Sequence, residues 1–170
     1  MNTIKKITIL ISTLSGGGAE SVCVNIANSF VENGWKVDLL ILNLNDEANL
    51  NYLSTEVNLV VLNVNNARYS IIPLLNYILK NKIKTLLVFN YELSVILIIL
   101  RLILRLKINI ISRNINTMSI KLKNFEYQNF WNKYIVRTLV KYFYKKSDHI
   151  VNQCEAMRDD LTLFFPNLKH

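Results

Sequence analysis

Short runs of aliphatic residues alternate along the chain with longer segments in which apolar residues recur at helical spacing. The runs 7–11 and 85–89 are apolar at nearly every position, as in strands buried on both faces of a parallel sheet. The alternation predicts an α/β fold, a doubly wound, mostly parallel sheet with helices on both faces. We predict strands at 6–13, 35–42, 58–62, 85–89, 109–112 and 149–152, and helices at 19–32, about 73–80, 92–106, 126–146 and 155–164.

The chain has the size and composition of one domain. It contains 170 residues, 51% of them hydrophobic, and its two prolines leave no segment that resembles a linker. The apolar stretch 7–14 is short and contains polar residues, so we interpret it as a buried strand and not as a secretory signal. The next apolar run, 93–100, is followed by Arg101 and Arg105, so it is too short to span a membrane. We predict a buried helix there, with a shallow membrane contact as the alternative.

A glycine-rich turn joins the first strand to the first helix. Three of the four glycines in the chain, Gly16, Gly17 and Gly18, lie there, and Glu20 follows them. Residues without a Cβ let a ligand approach the backbone, and the first N–H groups of a helix attract anions. The turn therefore predicts a site for a phosphate-bearing ligand, although a purely structural turn fits the same residues. Glu20 fits either a ligand contact or a carboxylate that stabilises the helix dipole.

The same turn excludes two common nucleotide sites. No Lys-Ser/Thr pair follows the glycines at the spacing of a P-loop, so ATP or GTP hydrolysis is not predicted. No acidic residue suited to hold a ribose ends the second strand, which argues against NAD binding.

Further candidates lie where other strands end, because ligands of such sheets collect at the carboxyl ends of the strands. Tyr91 and Glu92 follow one strand and could contact an acceptor hydroxyl, although Glu92 fits a helix cap equally well. Arg113 and Asn114 follow another strand. The Arg113 guanidinium suits bidentate phosphate binding, or else it is an ordinary surface arginine.

The net charge of +8 favours an anionic partner, such as a phosphorylated substrate, anionic lipid or nucleic acid. Basic residues recur every four positions along the predicted helix 126–146, with aliphatic and aromatic residues on its other side. This pattern is typical of a helix on an anionic membrane, or of an ordinary solvated lysine ridge. Nucleic acid ranks lower because no recognised binding module accompanies the ridge. The candidate membrane-facing residues are Lys133, Arg137, Lys141 and Lys145.

The sequence offers no set of catalytic or metal-ligating residues. Cys23 and Cys154 lack ligand-like spacing and there are only two histidines, so no metal site is predicted. No Ser-His-Asp or Cys-His set and no pair of carboxylates for acid–base work can be assembled. The catalytic residues are unknown, and the pattern argues against a self-sufficient hydrolase.

Taken in order, these motifs resemble the N-terminal half of a family 4 glycosyltransferase with the GT-B fold. The opening strand, the Gly-Gly-Ala-Glu turn at 17–20 and the helix that ends before Gly34 match the family pattern. The strand end at 113–114 resembles the family's Arg-Asn turn, and 147–155 resembles the segment near the end of that half. The likeness covers essentially the whole chain and implies a single Rossmann-like domain over 1–170.

The resemblance implies a retaining enzyme that moves a sugar from a nucleotide-sugar co-substrate to a lipid-linked or polysaccharide acceptor, with no bound metal or other cofactor. The N-terminal half of such enzymes mainly holds the acceptor, and many of them work at the inner face of the cytoplasmic membrane. The sequence stops about where the crossover to the donor-binding half begins. We therefore expect the acceptor-binding part of a longer enzyme, inactive by itself.

Two residues depart from the family pattern. Arg113 stands where some relatives carry a functional histidine, and Cys154 where serine is common, so roles of those side chains do not carry over. A non-catalytic subunit that docks on a membrane and recruits a separate catalytic chain is the alternative function.

Overall fold

Six strands and five α-helices make up the part of the chain that the structure describes. The computed structural model describes residues 5–44, 48–115, 117, 119 and 131–165, with the backbone alone at 131–133 and 164. The strands are β1 (Lys6–Ile11), β2 (Lys36–Ile41), β3 (Asn58–Val61), β4 (Thr85–Val88), β5 (Asn109–Arg113) and β6 (His149–Val151). The α-helices are α1 (Gly18–Glu32), α2 (Ile71–Lys80), α3 (Tyr91–Leu104), α4 (Arg137–Phe143) and α5 (Glu155–Phe164).

The six strands form one parallel sheet in the order β3-β2-β1-β4-β5-β6. The central strand is β1, where Ile9 pairs with Leu39 on one side and with Leu87 on the other. Five of its six residues are buried because helices cover both faces of the sheet. The predicted α/β fold with a parallel sheet is confirmed, and each predicted strand is present within two residues of its expected ends.

The helices lie on both faces of this sheet. Successive residues of β1 belong to two different core clusters, because successive side chains of a strand point to opposite faces of the sheet. Ile9 packs with Cys23 and Ala27 of α1, whereas Leu10 packs with the apolar sides of α2 and α3. A third cluster joins α4 and α5 to the side of α3. The doubly wound arrangement is therefore also confirmed.

The first helix is followed by Gly34, whose backbone conformation favours glycine. Gly34 has φ +76°, a left-handed conformation that favours glycine. Its N–H donates to the carbonyl of Val31 at 2.8 Å, and Trp35 donates to Phe30 at 3.0 Å, which is the Schellman pattern. The rings of Phe30 and Trp35 meet edge to face at 5.1 Å. The predicted stop at Gly34 is confirmed.

The predicted helix over 126–146 differs from the structure in its described part. Residues Trp131–Val136 form a π-helical turn, α4 follows over seven residues, and Tyr144–Lys146 close with a 3₁₀ turn. A four-residue repeat of basic residues fits an α-helix and a π-turn about equally well, so the sequence pattern could not separate them. The predicted stretch 126–130 lies outside the described residues.

A buried carboxylate fixes the start of β2 to its neighbours. Asp38 is 5% exposed, lies 2.7 Å from the ammonium of Lys6, and accepts a hydrogen bond of 2.8 Å from Asn58. Burial alone would raise the pKa of Asp38. Hydrogen bonds from Asn58, Lys6 and Tyr77, with the charge of Lys6, outweigh that effect and leave this pKa below its usual value. The carboxylate therefore links β1, β2, β3 and α2 at neutral pH.

Candidate functional site

The candidate site lies at the carboxyl ends of the strands, where the order of the sheet reverses between β1 and β4. Ser12 follows β1 and Asn90 follows β4, and the two residues join across this point. The Ser12 N–H donates to Asn90 Oδ1 at 2.9 Å, and Asn90 Nδ2 donates to Ser12 Oγ at 3.3 Å. Ligands of doubly wound sheets bind in the crevice at such a reversal. The sequence did not reveal this bond, because Ser12 and Asn90 are 78 residues apart.

The glycine turn occupies one side of this crevice. Gly17 is the N-cap residue of α1 and has no side chain to cap the helix, and its own N–H already donates to the Ser15 carbonyl at 2.8 Å. A Cβ on Gly18 would meet no heavy atom within 4 Å among the described residues, so that side of the turn is open. The amides of Gly16 and Gly18 and the first turn of α1 are therefore the groups that an anion could reach.

A residue that sequence reasoning missed holds the turn in place. Asn49 is 6% exposed, and its amide donates to the Ser15 carbonyl at 2.5 Å. Its Oδ1 accepts from Ser21 at 3.0 Å, and its backbone N–H donates to Leu14 at 3.1 Å. These bonds join both ends of the turn to one side chain. The residue lies in an irregular polar stretch, where no periodicity marks it.

Glu20 lies back over the start of its own helix. A Cβ placed on Gly17 would collide with the Glu20 carboxylate, which therefore rests against that glycine. This is the place that a glutamate takes when it closes a helix N-terminus. The geometry fits the capping interpretation, and an incoming anion would have to displace the carboxylate.

Arg113 is buried at the same edge, and no acidic partner for it occurs among the described residues. It is 8% exposed, its guanidinium lies 5.0 Å from the centre of the Phe89 ring, and its Nη1 has no hydrogen-bond acceptor among the described residues. Burial lowers the pKa of Arg113, although an arginine stays charged. Its charge also acts on the Cys23 thiol of α1, which places the guanidinium near that helix. The surface-arginine alternative is therefore excluded.

The other predicted residues lie at the same edge with partners of their own. Burial, followed by the charge of Glu92 and a hydrogen bond to it, raises the pKa of Tyr91, so the phenol stays protonated. Asn114 is 5% exposed, and its amide donates to Asn152 at 3.1 Å while its backbone N–H donates to Val151. Asn114 thus ties the end of β5 to the end of β6. Contact of these side chains with a ligand stays a prediction.

The predicted basic ridge is spread over three kinds of helical turn. Lys133 lies in the π-turn and its side chain is outside the described atoms. Arg137 begins α4 half-buried, whereas Lys141 and Lys145 are exposed. Within the described residues, no helix combines the length and apolarity needed to cross a bilayer, and no group of three potential metal ligands occurs. A membrane-facing role for the ridge stays a prediction.

The two cysteines differ in exposure, which gives a direct check on the packing of α1. Burial raises the pKa of the Cys23 thiol far above its usual range, and the Arg113 charge offsets only part of that rise. Cys154 is exposed. We expect iodoacetamide to modify Cys154 in the native protein and Cys23 only after unfolding, as read by peptide mass spectrometry. Equal labelling of both thiols would contradict the buried contact between Cys23 and the sheet.

Comparison with solved structures agrees with the architecture. A sucrose-phosphate synthase from Thermosynechococcus elongatus superposes with a TM-score of 0.67 at 11% identity, over 97% of this chain and 45% of that one. A glycosyltransferase of Phytolacca americana, UGT2, solved with UDP-2-fluoro-glucose and pterostilbene, matches with a TM-score of 0.48 at 16% identity, over 72% of this chain and 33% of that one. The first match supports a shared fold, and this chain spans less than half of that synthase.

The sheet and its reversal between β1 and β4 define a Rossmann-like domain, and the candidate site lies at the carboxyl ends of its strands. The sequence model of glycosyltransferase family 4 matches residues 16–167. The chain belongs to this family, and the resemblance drawn from its motifs is confirmed. A search of curated proteins by sequence gave no match.

Proposed function

We propose that these residues form the acceptor-binding half of a retaining glycosyltransferase, which moves a sugar from a nucleotide-sugar to a lipid-linked or polysaccharide acceptor. Membership of family 4 supports the reaction class. A separate donor-binding domain would supply most of the nucleotide pocket, as the family pattern implies. We therefore expect no turnover of a nucleotide-sugar by the 170 residues alone.

One observation carries this proposal. Among the described residues, the buried guanidinium of Arg113 has no acceptor for its Nη1, and it lies near α1 at the reversal of the sheet. The N-terminus of α1 is covered there only by the Glu20 carboxylate of its own first turn. A buried cation without a partner destabilises the fold, and the binding of an anion beside it removes this cost. The dipole of α1 and the amides of Gly16 and Gly18 favour the same sign of charge.

The proposed roles follow from these positions. Gly16, Gly18 and the start of α1 approach the donor phosphates from below, and Arg113 contacts an anionic group of donor or acceptor. Tyr91 and Glu92 contact an acceptor hydroxyl, with the protonated phenol as donor and the carboxylate as acceptor. Asn114 holds the adjoining strand ends in place.

We propose a peripheral location at the inner face of the cytoplasmic membrane. The charge of +8 attracts anionic lipid, and a lipid-linked acceptor would be presented there. The exposed Lys141 and Lys145 of the basic ridge fit such a location.

The Gly18→Ala variant tests the anion site. The added methyl enters open space, so the free energy of unfolding should not fall, and alanine favours the first helical turn. The methyl would keep phosphate oxygens from the amides and remove a hydrogen bond to a charged group, which is worth about 1.5–3 kcal/mol. We expect affinity for inorganic pyrophosphate, measured by titration calorimetry, to fall about tenfold or more.

Gly34→Ala is the matched control, because it makes the same chemical change at the other end of α1. Gly34 has φ +76°, so alanine there should destabilise the fold by about 1 kcal/mol and leave pyrophosphate affinity unchanged. Equal affinity of Gly18→Ala and the unmodified protein would refute the anion site. If the unmodified protein binds no pyrophosphate, the docking-subunit alternative becomes the better explanation.

A further inference from the structure

We propose that the amino-terminal edge of the sheet, on the side of β4 and β5, is a docking surface for an anionic lipid bilayer. It is formed where α2 and α3 end, and we call it the amino-edge surface. It consists of four exposed aliphatic residues, Leu79, Leu102, Ile103 and Leu104, with five exposed bases, Lys80, Lys82, Lys84, Arg105 and Lys107. The inference deepens the proposed membrane location and rests on this surface, not on the anion site.

The topology brings these residues to one edge. Helices that connect parallel strands run back from the carboxyl edge to the amino edge of a sheet. Because α2 precedes β4 and α3 precedes β5, the last turns of both helices lie at the amino edge. Both helices pack on the same face of the sheet, in the core cluster that contains Leu74 and Leu97. Their ends are therefore neighbours.

The aliphatic residues of this surface are unusually exposed. Leu79 is 56% exposed, and Ile103 is 71% exposed between Leu102 and Leu104, each at 45%. A helix with one buried side alternates apolar and polar positions, yet α3 ends in three consecutive exposed aliphatics. Single exposed apolar residues are normal, but a contiguous group marks an interaction surface.

The exposed charges at the ends of α2 and α3 are basic, and the acidic residue at the same edge, Asp148, is paired with Arg101 of α3. Between residues 77 and 109 the only acidic residue is Glu92, which begins α3 at the opposite edge. An apolar centre that is surrounded by lysine and arginine complements an acyl layer beneath anionic headgroups. Nucleic acid would account for the bases but not for the aliphatic centre. A second copy of the chain would bring like charges together.

Two of the basic residues, Lys82 and Arg105, have a backbone conformation that would be less strained for glycine. Lys82 and Arg105 each follow a helix and both have φ +51°, in the left-handed region. Gly34 takes the equivalent place after α1. The amino-edge surface thus retains cations at backbone positions that the fold alone would give to glycine.

The first test measures co-sedimentation of the protein with vesicles. We expect binding to vesicles of equal parts phosphatidylcholine and phosphatidylglycerol, and none to phosphatidylcholine alone. Ile103→Ser should weaken this binding about tenfold, since an isoleucine side chain no longer enters the acyl layer. The control is Leu163→Ser, because Leu163 is 82% exposed on α5, which packs in the core cluster of Val95 and not in the cluster that holds α2. Its affinity should not change.

The second test separates binding from stability. In Lys82→Gly/Arg105→Gly the strain at both helix ends is relieved, so the Tm should rise while vesicle binding falls and becomes less dependent on salt. A purely structural role would not move the two readouts in opposite directions. Lys141→Ala/Lys145→Ala removes as much charge from the basic ridge, so the larger loss of binding in one of the two double variants identifies the surface that carries most of the membrane contact.

Several results would overturn the proposal. Vesicle binding that survives Ile103→Ser, or that is lost only with the Lys141 and Lys145 changes, would exclude the amino-edge surface. A lower Tm of Ile103→Ser without a change in vesicle binding would show that another part of the polypeptide covers it. Binding to a DNA duplex in place of vesicles would assign the charge to nucleic acid. Vesicle binding needs no donor, so its failure would leave the pyrophosphate test of the anion site unaffected.

Discussion

Arg113→Met is expected to stabilise the fold and to remove most of the affinity for anions. Arg113 is 8% exposed and its Nη1 has no acceptor among the described residues. A methionine of similar length keeps the contact with the Phe89 ring and removes a buried charge, which should raise the free energy of unfolding by about 1 kcal/mol. The loss of a charge-assisted hydrogen bond to the ligand should weaken pyrophosphate binding about 10- to 100-fold.

The chain offers a matched control for this prediction. Arg68 lies 4.8 Å from the centre of the Tyr69 ring, so it is also an arginine on an aromatic side chain, but it is exposed to solvent. Arg68→Met should change neither stability nor anion binding beyond the spread of surface substitutions. Urea unfolding and titration calorimetry on both variants provide the measurements. If Arg113→Met destabilised the protein and left anion binding intact, Arg113 would be a structural residue with no ligand role.

Asp38→Ala is expected to destabilise the protein by about 2 kcal/mol at neutral pH. The substitution leaves Asn58 without its acceptor and removes the ion pair with Lys6. The pKa of Asp38 is lower in the folded chain than its ordinary value, so the carboxylate stabilises the fold above that ordinary value, near 4. The contribution is lost as the pH falls through the lower, folded pKa.

The pH dependence makes the prediction specific. The difference in unfolding free energy between the unmodified protein and Asp38→Ala should be constant above about pH 5 and should shrink below about pH 4. Asp159→Ala is the control, because Asp159 is paired with Arg158 at 3.2 Å on the surface, where such pairs contribute little. A difference that does not vary down to pH 2 would mean that Asp38 acts through packing alone.

Much of the fold follows from local patterns in the sequence. The apolar runs are short and uninterrupted because both faces of a parallel sheet are covered, and this is visible without any partner strand. The strand order is not visible in this way. That β1 lies between β2 and β4 depends on the return of the chain after β3, which no local pattern records.

The candidate site was less predictable than the fold, because much of it depends on contacts between distant segments. The glycines, Glu20 and Arg113 were found because a parallel sheet places its ligand at strand ends, and strand ends can be located in sequence. Arg113 was placed correctly, but its burial depends on the Phe89 ring and on the packing of α1. The bonds of Asn49 and Asn90 were not predicted, because they reach distant segments of the chain.

The central position of β1 has a consequence for synthesis of the chain. β1 and β2 can pair early, since they are separated by one helix, but the other edge of β1 pairs only with β4, beginning at Thr85. Until those residues leave the ribosome, the growing polypeptide presents a row of unsatisfied amide and carbonyl groups along one edge of β1. Exposed edges of this kind promote association between unfinished chains, and non-local pairing of this kind is slow. The topology that creates the candidate crevice therefore also leaves the first half of the polypeptide open to such association during translation.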